Sequence, residues 1–259
     1  MSSVAGYIAM IKLAASATLA NRGQFLLRAL GVICWFGVAL AVWGYATRQT
    51  DSAGYTWPEI KTYLLIAATV MLVGLSDVGF AERITHGRLG VELSWPLNVA
   101  LVRICVGLGE TLCSLGTAVV LWLASAALPG GFVHPRGVGG AMLVVASLLA
   151  SVVLKTTLTQ MWSLAAFWAH DVHGVTRLRD AVTNLLAGSV VPLAVMPGWY
   201  KDLAYALPFA SLVQGPYGIA ASSASAATLL WQVGWVAGVA IAGTIVWRRG
   251  TSRFTAFGG

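Results

Sequence analysis

Three ionisable residues lie inside long apolar runs of this chain: Asp77, Glu110 and Lys155. A charged side chain at mid-bilayer costs at least ~2–3 kcal/mol on insertion scales, so such residues usually face protein or water. At about 1.5 Å per residue, Glu110 and Lys155 lie roughly 16 and 20 Å from the inner ends of their helices. Their similar depth predicts that they pair. The pair could be structural or could line a substrate path, or the groups could instead contact cavity water.

No pattern in the sequence indicates nucleotide binding or catalysis. A phosphate-binding loop requires GxxxxGK followed by Ser or Thr, and no segment matches it. His170 and His173 have a spacing compatible with a metal, but no further ligand cluster accompanies them in the sequence, which favours polar capping. Ser189 lacks the GxSxG frame of a hydrolase nucleophile. We therefore expect no catalytic residue and no metal site. Any ATP that drives the protein would bind another chain.

The composition is typical of an integral membrane protein. The chain has 259 residues, of which 58% are hydrophobic and 10% are charged, whereas soluble domains carry about 25% charged residues. No polar block is long enough for a second domain, so residues 1–259 are predicted to form a single transmembrane domain. The net charge of +7 does not indicate a nucleic-acid partner, because the cations lie at the ends of the apolar runs.

The apolar runs predict an all-α membrane protein with six transmembrane helices. A helix that crosses a bilayer needs roughly 20 residues. The predicted spans are residues 24–45, 59–80, 99–127, 138–168, a broken segment that starts near 181, and 226–247.

The distribution of Lys and Arg predicts the orientation, because cytoplasmic segments carry an excess of both. With the N-terminus inside, eleven cations fall on the inner side: Lys12, Arg22, Arg28, Arg83, Arg88, Arg103, Arg177, Arg179, Arg248, Arg249 and Arg253. Four fall on the outer side: Arg48, Lys61, Arg136 and Lys201. Both termini are therefore predicted to be cytoplasmic.

Two predicted inner segments lie beside the spans. Residues 1–23 predict an interfacial helix along the inner leaflet, although they could simply extend the first span. Residues 81–97 alternate charged and apolar side chains, and Gly87 allows a turn. A plain connector needs about five residues, so this longer amphipathic loop predicts a docking surface. A helix lying on the membrane is the alternative.

Residues 187–225 form the least regular apolar segment, since four of the eight prolines fall there. Proline removes a helix hydrogen bond, and an unsatisfied backbone group in lipid costs several kcal/mol. The segment is therefore predicted to enter the membrane from the outside, break, and fold back against other helices. Broken helices of this kind line cavities and pathways.

Three motifs together resemble the permease subunits of type-2 ABC exporters, in particular the compact bacterial six-span subgroup that is encoded beside a separate ATPase. Residues 188–199 read GSVVPLAVMPGW and are followed by LPF at 207–209. Residues 84–89 read ITHGRL, similar to the loop that couples to the ATPase. Residues 247–250 read WRRG and begin a similar C-terminal tail. Lys155 belongs to none of these motifs.

The resemblance implies a transporter built from two permeases, identical or homologous, and an ABC ATPase dimer that binds ATP and Mg. The N-terminal helix and the loop would contact the ATPases, and the second and fifth spans would line the path. The implied coupling residues are Glu82, Arg83, Ile84, Gly87, Arg88, Leu89 and Glu92. The implied outer gate comprises Gly188, Pro192, Pro197, Trp199, Pro208 and Phe209. The location would be a bacterial cytoplasmic membrane.

We therefore predict a transmembrane subunit that exports a small molecule, lipid or peptide with ATP hydrolysed by a partner. An ion-gradient-driven secondary transporter is the first alternative, with Glu110, Lys155 or Asp77 as the coupling group. A membrane enzyme or assembly factor is the second. The substrate and the identity of the second permease are not readable from the sequence.

Overall fold

The computed structural model of this chain describes residues 3–49, 55–72, 78–87, 89–90, 94–169, 171–221 and 225–252. Within these ranges, every regular element is helical. The α-helices are α1 (Ser3–Ala20), α2 (Arg22–Gln49), α3 (Trp57–Met71), α4 (Val78–Thr85), α5 (Val99–Ala126), α6 (Gly137–Ser163), α7 (Val172–Leu186), α8 (Gly198–Tyr205), α9 (Gln214–Ala220) and α10 (Ala226–Thr251). Short 3₁₀ helices cover Leu164–Phe167, Leu193–Val195 and Ala210–Leu212.

Four helices in the described part of the chain are long and apolar enough to cross a membrane. They cover Arg22–Thr47, Val99–Ala126, Gly137–Phe167 and Ala226–Thr251. They correspond to the first, third, fourth and sixth predicted spans, and the all-α membrane class is confirmed.

The other two predicted spans are built differently. The run 59–80 is split between α3 and α4, and α3 ends at Met71. With 15 residues, α3 is about 22 Å long, shorter than the ~30 Å hydrocarbon core. The broken segment begins with α7, which also has 15 residues and carries Arg177, Arg179 and Asp180. Hydropathy predicted one span over 59–80 because the sequence stays apolar from α3 to α4, and residues 73–77 between them lie outside the described residues.

Helix α3 lies at the centre of the molecule. Its side chains from Ile60 to Ala68 are at most 1% exposed, and α2, α5, α6 and α9 all pack against it. The polar side chains buried in this stretch, Lys61 and Thr62, are hydrogen-bonded, as an interior position requires. The stretch from Ile60 to Ala68 therefore faces protein on all sides, and a path lined by the second span stays a prediction.

Helix α1 runs alongside α5. Gly6 lies against Leu97 at one end of this contact, and the Cys113 thiol donates to the Ala15 carbonyl at 3.5 Å near the other. Between them, Gly109 faces the backbone of α1 so closely that a Cβ atom would clash. Helix α1 is thus packed lengthwise along α5, which is a candidate span. The placement of residues 1–23 along the inner leaflet stays a prediction.

A buried amide joins α10 to α6. The Gln232 side chain is fully buried and accepts from the Ser147 hydroxyl at 2.7 Å. It donates to the Ser151 hydroxyl at 3.0 Å and to the Ser211 carbonyl at 2.8 Å. Gly215 packs directly on the amide, so α9 is held at the same point. These bonds fix the broken segment against two long helices.

Candidate coupling surface and outer gate

Gly188 ends α7 and turns the chain into the broken segment. Its φ of 72° lies in the left-handed region, which terminates helices and favours glycine. Its carbonyl accepts a hydrogen bond of 2.7 Å from the Tyr63 hydroxyl. A Cβ atom at this position would lie 2.6 Å from that hydroxyl and 2.8 Å from Leu193. Both the backbone conformation and the close approach therefore require glycine.

The prolines divide the segment into short helices. Pro192 precedes the 3₁₀ helix Leu193–Val195, and Pro197 precedes α8. A proline ends the incoming helix because it has no N–H to donate. Of the implied gate residues, Pro192, Pro208 and Phe209 are buried, whereas Trp199 is 69% exposed. Part of the proposed gate is thus packed into the body and part is accessible.

Tyr63, which contacts Gly188, belongs to a cluster of three tyrosines that sequence reasoning missed. The ring of Tyr63 lies 5.1 Å from that of Tyr217, and the ring of Tyr55 lies 5.9 Å from that of Tyr217. The Gln214 amide approaches the Tyr63 hydroxyl at 3.5 Å. Burial, with the nearby Tyr205 and Glu59, raises the pKa of Tyr55 above its ordinary value. Only Gly188 signalled this site in the sequence.

On the predicted inner side, α4 is anchored by its apolar face. Phe80, Ile84 and Leu89 are buried together with Leu164 and Val172. Ile84 and Leu89 had been assigned to a docking surface, and in the structure they hold the loop onto the protein instead. Ile84 points inward because α4 is amphipathic and its apolar stripe needs cover, and Leu89, which follows α4, packs into the same cluster.

The exposed side of α4 carries the polar residues. Glu82, Arg83 and His86 are exposed, and Gly87 adopts a φ of 68°, which allows the chain to turn there. Arg88 and Glu92 lie outside the described residues. Among the described residues, Glu82 and Arg83 are therefore the exposed charged members of the predicted coupling set, and with the adjacent His86 they form a short, charged ridge at the end of α4.

Lys155 contacts the broken end of α3. Its ammonium group donates to the Val70 carbonyl at 2.6 Å and to the Met71 carbonyl at 3.4 Å. The last carbonyls of a helix lack partners within the helix and carry partial negative charge. Lys155 thus caps α3 from α6, which explains a cation at membrane depth.

Glu110 has different surroundings from Lys155. It lines a cleft together with Arg28 and Arg83, and Lys155 donates to backbone carbonyls instead. The structure does not bring the two predicted partners together. Similar depth along their helices does not bring the two residues into contact, because their side chains project toward different neighbours. Asp77 lies outside the described residues.

A family model described as ABC-2 family transporter protein matches residues 33–258. The chain belongs to this family. A search of the curated proteins gave no match, and a search of the solved structures also gave none. The chain is thus a transmembrane subunit of an ABC transporter, and the permease resemblance is confirmed. Membership of the compact six-span subgroup stays a prediction.

In this ABC-2 permease, α7 connects the two regions described above. Its first residue, Val172, belongs to the apolar cluster around α4. Its last residue is followed closely by Gly188, which contacts Tyr63 on α3. Asp171 caps the start of α7 by accepting from the Gly174 amide at 3.0 Å. One short helix therefore spans from the charged ridge to the broken segment.

The ABC-2 permease family is a membrane component without a catalytic site of its own.

Proposed function

We propose that this chain is the permease of an exporter driven by ATP hydrolysis on a partner ATPase. The observation that supports this most directly is the ABC-2 family match over residues 33–258. The charged ridge on α4 would receive the ATPase, which would bind ATP and Mg. A second permease, identical or homologous, would complete the transporter in a bacterial cytoplasmic membrane, with both termini cytoplasmic.

In the proposed mechanism, α4 passes movement of the ATPase to α7. Phe80 and Ile84 pack with Val172, so a displacement of α4 repacks the start of α7. The far end of α7 meets the Tyr63 hydroxyl through the Gly188 carbonyl. Movement would then reach α3 and the broken segment, which would open or close the outer side. Packed helices shift between discrete arrangements rather than deforming continuously.

Differential contacts must drive such a switch, because a ligand shifts an equilibrium only by its differing affinity for the two states. The ATP-bound ATPase dimer would therefore have to bind one arrangement of α4 more tightly. The exposed Glu82, Arg83 and His86 supply polar groups for such contacts.

The partner is tested by affinity purification of the full chain from its native membranes. We expect an ATPase with a GxxxxGK[ST] loop to co-purify, and we expect Glu82→Arg to reduce its recovery. Arg136→Glu is the matched control, since Arg136 is also exposed and lies on the predicted outer side. Equal recovery with both variants would contradict the assignment of α4 to coupling.

The driving force and direction are tested with inside-out vesicles that contain the purified complex. ATP added outside such vesicles should drive substrate into the lumen, which corresponds to export from the cell. Flux that follows an imposed ion gradient without any ATPase would reject the proposal and favour the secondary-transporter alternative.

A further inference from the structure

A cleft of about 340 Å³ lies between α1, α2 and α5. The mechanism above uses Arg83 of its lining for contact with the ATPase, but it assigns the cleft itself no role. Leu72, at the end of α3, and Arg83, on α4, complete its lining. The volume falls within the range of small-molecule sites, about 300–1,000 Å³. Such sites combine an apolar lining with a few polar groups that orient the ligand. The cleft has both kinds of lining.

One part of the lining is apolar. Met10 and Leu13 come from α1, Phe25 comes from α2, and Val106 comes from α5. Leu13 is 63% exposed, so apolar surface remains uncovered at the mouth. An alkyl or aromatic body of a ligand would pack against this apolar surface and gain dispersion contacts.

The polar part of the cleft lining carries three charged side chains. Arg28, Arg83 and Glu110 line the same cleft, which leaves a net charge of +1 across the three groups. Each guanidinium carries five N–H donors, so it can hold a protein partner and still donate to a ligand. Arg28 lies inside the candidate span Arg22–Thr47, where low polarity strengthens such contacts.

We propose that this cleft binds an amphipathic anion, that is, a carboxylate or phosphate group on an apolar body. The anionic group would meet Arg28 and Arg83, and the body would lie along Met10, Leu13 and Phe25. Glu110 would weaken the attraction for an anion through its like charge. The ligand could be an inner-leaflet phospholipid or a soluble amphipathic acid, which share this chemistry. Binding needs only this chain, so the inference stands apart from the proposed ATP-driven export.

The test uses the full chain purified in a neutral detergent. The probe is a dansyl-labelled undecanoate, and the control ligand is its neutral methyl ester. We expect the ester to bind about tenfold more weakly, and Arg28→Gln to weaken binding of the acid by a similar factor, since a charge-assisted hydrogen bond is worth at least that much. Arg28→Lys should lose less than Arg28→Gln.

We expect a substitution at Glu110 to have the opposite effect on binding of the acid. Glu110→Gln removes the like charge and should strengthen binding of the acid without affecting the ester. A purely structural role of Glu110 would instead leave the binding of both ligands unchanged or weaken both equally, and that result would overturn the proposal.

Two substitutions that add a bulky side chain to α1 test whether the ligand binds in this cleft. Ala17 lines the cleft, whereas Ala9 lies outside its lining, and both residues are exposed. Ala17→Phe should abolish binding of the acid because the added ring fills the cleft, and Ala9→Phe should not change it. Equal binding by the two variants would reject this cleft as the site.

A competition experiment distinguishes an inner-leaflet phospholipid from a soluble amphipathic acid as the ligand. Displacement of the probe by phosphatidylglycerol, with no displacement by phosphatidylcholine, would support an anionic phospholipid. Displacement only by soluble amphipathic acids would support the second source. Equal binding of acid and ester to the wild-type chain would overturn the proposal altogether.

Discussion

At the residue scale, two lysines stabilise this membrane protein in the same way. Lys155 donates to carbonyls at the end of α3. Lys61, which is fully buried, donates to the Ser125 and Leu128 carbonyls at the end of α5, at 3.1 Å each. Its ammonium also lies 4.3 Å from the centre of the Phe132 ring, a cation–π contact. Both cations satisfy backbone groups that would otherwise be costly inside a membrane.

The first prediction concerns Lys155. Lys155→Met removes the cap and leaves carbonyls of Val70 and Met71 without this donor, at a cost of about 1–3 kcal/mol. We expect a lower unfolding temperature of the purified chain, and a smaller decrease for Lys155→Arg. The combined exchange Glu110→Lys with Lys155→Glu should give no recovery over the single changes. Recovery by the exchange would show that the two residues pair after all.

The second prediction concerns Gly188 and Tyr63. Gly188→Ala should destabilise the chain by more than the roughly 1–2 kcal/mol that left-handed backbone costs, because the new methyl group also clashes with the Tyr63 hydroxyl. Tyr63→Phe removes the clashing atom together with its hydrogen bonds to the Gly188 carbonyl and from the Gln214 amide. Chemical denaturation should therefore show that the double variant loses less free energy of unfolding than the two single variants lose in total. Strict additivity would indicate that the two groups do not touch.

At the element scale, Gln232 holds three elements together. Gln232→Leu leaves the Ser147 and Ser151 hydroxyls and the Ser211 carbonyl without this partner inside the bundle, so we expect a loss of about 2 kcal/mol or more. The broken segment should also become easier to cleave with protease. Thr244→Val is the matched control, because Thr244 lies exposed on the same helix. A protease pattern unchanged by Gln232→Leu would show that the amide does not restrain the segment.

At the scale of the whole molecule, the long helices keep large apolar surfaces uncovered. Leu27 on α2 and Leu230 on α10 are 71% and 73% exposed. Exposed apolar surface of this extent marks a membrane or protein interaction site. In a chain of this family, lipid covers such surfaces.

The predicted orientation can be tested by labelling single cysteines in a cysteine-free background. Glu82→Cys should react with an impermeant maleimide only in inside-out vesicles, and Trp199→Cys only in intact cells. Both positions are exposed, so reactivity reports the side of the membrane. Reaction of Glu82→Cys in intact cells would invert the topology and remove α4 from contact with any cytoplasmic ATPase.

Hydropathy and residue type were enough to predict several features. A composition of 58% hydrophobic residues indicated a membrane protein, the apolar runs indicated the all-α class, and the three motifs indicated an ABC-2 permease. The prolines of residues 187–225 indicated broken helices, because proline cannot donate the bond that a continuous helix requires. These are local properties of the chain, so they are readable without the fold.

The tertiary structure alone decided which side chains meet. The sequence could not show that Lys155 caps α3, that Ile84 and Leu89 face inward, or that α3 is buried on all sides. In a membrane, lipid-facing and protein-facing sides of a helix are both apolar, so the hydrophobic pattern does not show which side is covered. The contacts depend on how the helices are arranged around α3, and only their packing determines that.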